Sequence, residues 1–150
     1  MKKFIVGVII LLFNVSAYAQ LNVSSVVGTP KIFNCRTSKT GETTPVRVIV
    51  TKYNNPETLA ILLTCAESPF ENFVVITVNL VNSPYGDVQY QDESHAYIDT
   101  NNCPWAEEFL QENGIAKPDP RNIHGMSGFC TYPLYEFNPE YKLLPLSVFG

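Results

Sequence analysis

The chain has 150 residues, 14 of them acidic and 10 basic, and a formal net charge of −4. That length favours one domain with a real core over two independent ones. The acidic balance, with no basic patch to override it, disfavours binding to nucleic acid or to an anionic membrane surface.

Lys2 and Lys3 precede the apolar run 4–13, which is followed by Ala17-Tyr18-Ala19. This is the pattern of a secretory signal peptide, residues 1–19. The run is about half the roughly 20 residues a spanning helix needs, so no stable membrane anchor is expected after cleavage. Residues 20–150 then form a single exported β-rich domain, secreted or periplasmic. Its eight basic and fourteen acidic residues give a net charge of −6. All four cysteines, Cys35, Cys65, Cys103 and Cys130, lie beyond the leader. An even count in an exported chain predicts disulfides rather than a metal site. Pairing of nearest neighbours, Cys35–Cys65 and Cys103–Cys130, is preferred.

Residues 21–27 alternate weakly and read as a short edge strand or arm, and 31–35 as a strand. Pro45 opens a strand at 46–53 with Val46, Val48 and Val50 inward and Arg47, Thr51 and Tyr53 outward. A reversal at 54–57 leads to 58–65, where Leu59, Ile61, Leu63 and Cys65 share a face. A flat meander of these three strands would set Cys35 and Cys65 roughly 9.6 Å apart, beyond the roughly 7 Å Cα limit of a disulfide. The preferred pair therefore requires the first strand to leave that sheet. Segment 72–82 is dense in β-branched residues, with Val74, Ile76, Val78 and Leu80 on one face, and reads as the central strand. Residues 88–90 and 95–98 are expected to form a second hairpin, in which Tyr90 and Tyr97 pair across the strands.

At 103–113 the period changes to that of a helix. Pro104 stands at its first position, Glu107 and Glu108 in its first turn, and Gly114 just past its end. Its stripe of Trp105, Ala106, Phe109 and Leu110 is expected to lie on the sheet, with Trp105 as the largest anchor and Ile115 folding back onto Leu110. Residues 117–128 read as a long irregular connection, and a last strand is expected at 143–149. The fold class predicted is mainly β, a β-sandwich or partly open barrel of antiparallel hairpins with one short α-helix packed on it.

No motif names a reaction, a cofactor or a metal, and no catalytic residue is assigned. Cys103-Pro104-Trp105-Ala106 resembles the active-site start of glutaredoxin-like proteins, but it lacks the second cysteine of a Cys-x-x-Cys pair, where Ala106 stands, and a βαβ context. His95 and His124 with Cys103 and Cys130 match no zinc-site spacing. His124-Gly125-Met126-Ser127-Gly128 departs from the nucleophile elbow of the hydrolases. Glu107 and Glu108 are adjacent, so they splay around a helix rather than converge across a sugar. Phe33-Asn34-Cys35 followed by residues 46–53 resembles small periplasmic lysozyme inhibitors over less than a quarter of the chain, without their later recognition motif. The function expected is an exported, non-catalytic binding or interaction domain for a protein or carbohydrate, such as an enzyme inhibitor. His124, Met126 and Phe129 on the 117–129 loop are the expected contact residues, with the loop ends held by a Cys103–Cys130 bridge. The alternative is a small secreted hydrolase using that loop, with His124 as general base.

Overall fold

The computed structural model of the chain describes residues 27–37, 41–67 and 74–143. The leader, the arm before residue 27 and, apart from Leu143, the expected last strand lie outside them. The described residues form two antiparallel sheets and one short helix.

The first sheet runs β1 (Val27–Arg36), β2 (Thr43–Lys52), β3 (Leu59–Cys65) and β4 (Val74–Val75), in that spatial order. The β2–β3 hairpin is the one the alternation predicts, with Val46 opposite Cys65 and Lys52 opposite Leu59. Val46, Val48, Val50, Leu59, Ile61 and Leu63 all face the core, as their period of two requires. The other face of this hairpin is not solvated as expected: Ile49, Thr51, Tyr53, Ala60, Leu62 and Thr64 are buried as well.

The second sheet is built from β5 (Thr77–Val78), β6 (His95–Ile98), β7 (Ala116–Pro118) and β9 (Cys130–Phe137), in the order β5-β6-β9-β7. β8 (His124–Ser127) pairs with the first half of β9, beyond the point where β7 ends. Segment 72–82 is therefore not one central strand, and its first two residues lie outside the described ones. It contributes β4 to one sheet and β5 to the other, with Ile76 as the joint. The Ile76 N–H donates to the Ile61 carbonyl in the first sheet at 3.0 Å, and its own carbonyl accepts the Asp99 N–H beside the second at 2.8 Å. Both backbone groups of this fully buried residue are satisfied, one in each layer.

Two further expectations are corrected. Residues 87–90 form a 3-10 turn rather than a strand, because Gly86 enters it with φ of 69° and the Asp87 carboxylate is turned back onto Ser83. β6 consequently pairs with β5 and β9, and Tyr90 packs from the turn against the small cluster that holds Tyr97 instead of pairing with it across a hairpin. Half of the 117–128 connection is strand, because β7 and β8 both line one edge of β9. Pro133 conceals β9 in the sequence. The Leu134 N–H points to the Ile123 carbonyl, so the Pro133 nitrogen faces the opposite side, past the last β6 pair at Leu134. No ladder bond is lost there.

The helix α1 spans Ala106–Glu112, shorter than predicted because residues 103–105 form the turn that leads into it. Gly114, with φ of 64°, stops it, and the Ile115 N–H returns to the Leu110 carbonyl. Ala106, Phe109 and Leu110 join the core between the sheets, while Trp105 is only half-buried at its margin. Glu107 is more than solvated surface: it accepts the hydroxyl of fully buried Tyr135 at 2.7 Å, and Tyr135 accepts the Gln111 amide at 2.8 Å. These two bonds fasten the helix to β9.

Candidate functional site

The expected contact residues sit on the β8–β9 hairpin. Its turn is Gly128-Phe129, with φ of 59° at Gly128 and no positive φ at Phe129, the pattern of a type II′ turn that matches strand twist. Phe129 is at the tip, 105% exposed, and Met126 is 38% exposed. His124 and Met126 share the outer side of β8 by the period of two, and both are exposed. Gly125 turns the other way: a Cβ there would lie 2.3 Å from Leu80 Cδ1 and 2.9 Å from the ring of buried Tyr97. Only glycine lets β8 lie this close to the small second core of Leu80, Tyr97, Tyr132 and Leu134.

Asp87 holds the hairpin from the side. Its Oδ2 accepts the Ser83 hydroxyl at 2.5 Å and the Met126 backbone N–H at 2.9 Å, and its carbonyl accepts the Tyr97 hydroxyl at 2.8 Å. The hairpin is thus ordered by strand pairing, a glycine contact and one buried carboxylate, where a disulfide had been expected to restrain it. Among the described residues no carboxylate orients His124, whose Nδ1 lies 3.3 Å from the Asn122 carbonyl.

The histidine that does meet carboxylates is His95. Cross-strand register sets His95, Glu136 and Lys117 in one row over β6, β9 and β7, and Asp119 follows two residues after Lys117 on the same face. His95 Nδ1 lies 2.8 Å from Asp92 Oδ1, and Nε2 lies 3.2 Å from Asp119 Oδ2 and 3.6 Å from Glu136 Oε2. Arg121 grips both oxygens of buried Asp119, at 2.8 and 3.1 Å, while its guanidinium lies 5.7 Å from the Tyr90 ring centre. Carboxylates thus face both ring nitrogens. This cluster secures the excursion of residues 119–123 between β7 and β8. The sequence reading missed it because its members come from three strands and two loops.

The Arg121 side chain bonded to Asp119 holds that carboxyl below the usual carboxylate range against the opposing effect of burial. Burial would raise Asp92, but the Ser94 N–H and the His95 ring outweigh it and leave that carboxyl low as well. A lowered native value contributes stability that is complete above the unfolded range, near 3.9, and is lost as pH falls through the native value. The thermal midpoint is therefore expected to fall on acidification below about pH 4. Asp119→Asn should lower stability at neutral pH by about 1–3 kcal/mol and flatten that acid limb. Thermal unfolding across pH checks this, and an unaltered acid limb would remove Asp119 from the account.

The four cysteines are unbridged. β1 lies in the same sheet as β2 and β3, with β2 between, which is the meander that excludes a Cys35–Cys65 bond. The register adds an offset, since Cys35 opposes Thr44 while Cys65 opposes Val46. Cys103–Cys130 fails for a different reason. Cys103 belongs to the core between the sheets, whereas Cys130 packs with Tyr132 and Leu134 on the opposite face of β9. Burial, and then the neighbouring Cys130 thiol, push Tyr132 up to about 12. Cys35, Cys65 and Cys103 instead share the wall of one cleft of about 460 Å³ with Val46, Leu63 and Trp105. His95, His124, Cys103 and Cys130 do not converge, and no group of three or more potential ligands among the described residues is arranged to hold a metal ion.

No curated protein and no solved structure matches the chain. Residues 48–146, about two thirds of it, match the family described as Domain of unknown function (DUF4313). They take in most of the β2–β3 hairpin, the Ile76 joint, the helix, the His95 cluster and the whole β8–β9 hairpin, and the chain belongs to that family.

Proposed function

We propose that this is an exported, non-catalytic binding domain that presents the tip of the β8–β9 hairpin to a protein partner. The observation that carries the proposal is Phe129, a fully exposed aromatic ring on a two-residue turn whose flanking strands are fixed by Asp87 and by the Gly125 contact. A large apolar side chain on a rigid support loses little conformational freedom when it is buried by a partner, so most of its contact area is retained as affinity. Its shape is convex. A projecting ring suits an apolar pocket in another protein, including the cleft of an enzyme to be inhibited, better than it suits a sugar, which a flat or concave aromatic platform would receive. The pattern of residues 1–19 supports export.

The test replaces Phe129 with a photo-crosslinking phenylalanine analogue, and Glu112 on the exposed end of α1 as a control, in the protein expressed with its leader. A discrete protein adduct from position 129 and none from 112 is expected. Adding His124→Ser and Met126→Ser should weaken the adduct while leaving the thermal midpoint nearly unchanged. An adduct from 112 alone would place the contact elsewhere. Loss of a measurable turnover in His124→Ala would replace binding with hydrolysis.

A further inference from the structure

We propose that Cys35 and Cys103 form a disulfide that ties β1 to the entry of α1, leaving Cys65 as a free thiol on the cleft wall. The proposal rests on the export expected above, since an oxidising compartment is what retains such a bond. The choice of partner follows from where the fold places the thiols. β1 turns Phe33 and Cys35 to the same side, and Phe33 meets Phe109 of the helix edge-on, with ring centres 6.1 Å apart. On the outer side Arg36 reaches Glu108 at 4.0 Å. These contacts set β1 beside α1, which follows directly on the turn that holds Cys103, whose Sγ donates to the Val75 carbonyl of β4 at 4.0 Å and would give up that contact on bridging. Both cysteines are 1% exposed in the same core, and both line the cleft. Cys65 shares the cleft, but it lies on β3 with β2 between it and Cys35, so its one rival pairing is with Cys103, and the Cys65→Ser variant below separates the two. Cys130 is on the far face of β9.

The chemistry is thiol–disulfide exchange. One thiolate attacks a disulfide of the glutathione type, releasing one reduced glutathione thiol and forming a mixed disulfide. The second cysteine, as it loses its proton, then displaces the other glutathione thiol. Two protein S–H bonds and one S–S bond are exchanged for one protein S–S bond and two glutathione thiols, so electrons balance. Timing follows from burial. In the finished fold burial, and then the neighbouring Cys103, push the Cys35 thiol up to about 12, while burial and then Asp99 push Cys103 up to about 11. Thiolates are scarce under those conditions, so the bond forms while the cleft is still open during folding, and native reduced protein oxidises slowly.

The experiment refolds the reduced chain lacking residues 1–19 in a glutathione redox buffer and traps the thiols. Trypsin isolates Cys35 on peptide 32–36, and a second cut before Asp99 separates Cys103 from Cys65. A dominant cross-link between the Cys35 and Cys103 peptides is expected, together with a thermal midpoint about 10 °C above that of the reduced protein. Cys35→Ser, Cys103→Ser and the double variant should lose the same increment, and Cys65→Ser should retain the bond. A dominant link involving Cys65, loss of the bond in Cys65→Ser, or four free thiols at redox equilibrium would overturn the pairing. Free thiols in cells with the bond formed in vitro would fault the export reading and leave the pairing intact.

Discussion

Phe109→Ala is expected to destabilise the protein by about 3–5 kcal/mol, the range for removing a buried phenylalanine and leaving a cavity. Phe109 is 3% exposed and stands edge-on to Phe33 at 6.1 Å and to Trp105 at 6.3 Å. Each such pair adds about 0.5–1.5 kcal/mol beyond area burial. The helix has only seven residues, too short to hold itself in water, so this packing decides whether it forms. Denaturant unfolding measures the loss, and Trp105 emission reports the vacated edge contact independently. Trp105→Ala should cost less, since Trp105 is only half-buried beside the cleft. If the order of the two losses is reversed, the helix is anchored by Trp105, as its stripe in the sequence had suggested.

Ile76→Ala is expected to cost about 2–5 kcal/mol. The side chain is fully buried in the core between the sheets, and its methyl groups are the only part lost, because the backbone bonds to Ile61 and Asp99 do not depend on the side chain. A single cooperative transition with an unchanged denaturant slope should remain, shifted to lower denaturant. Ile76→Pro should do far more harm, since it also deletes the N–H given to Ile61 and leaves that buried carbonyl short of a donor. Two separate transitions in the alanine variant would show that the sheets unfold independently. For a protein whose total stability is of the order of 5–15 kcal/mol, either loss at Phe109 or Ile76 is a large fraction of the whole.

The two functional readings make opposite demands on the second sheet. A binding hairpin needs a rigid base, and Asp87, Gly125 and the His95 cluster supply it. A hydrolase would need a histidine with one nitrogen oriented and the other open. His124 Nδ1 faces the Asn122 carbonyl at 3.3 Å and His95 lies between Asp92 and Asp119, so turnover in a His124→Ala variant is what separates the two readings.

Local patterning determined the elements whose partners are close in the chain. Alternation of valines and leucines specified the β2–β3 hairpin, including its inward face, because a slip of one residue would turn that whole set to the wrong side. Gly114 and the apolar spacing before it marked the end of α1. Exposure of His124, Met126 and Phe129 also followed from a short segment rich in glycine between prolines, although that segment proved to be strand. Tertiary structure alone decided the rest. The β-branched run at 72–82 carries no mark at Ile76, since either face can be buried and only the positions of Ile61 and Asp99 divide it between sheets. Pro133, which has no N–H to give a ladder, is accommodated in β9 only because its nitrogen faces past the end of the β6 pairing. The His95 cluster and the thiol cleft assemble residues far apart in the chain, and register across β6, β9 and β7, or the stacking of β1 on α1, is what brings them together. Cysteine spacing is blind to the sheet that separates Cys103 from Cys130, and that separation, a matter of which face of β9 each residue meets, is why nearest neighbours in sequence are not partners here.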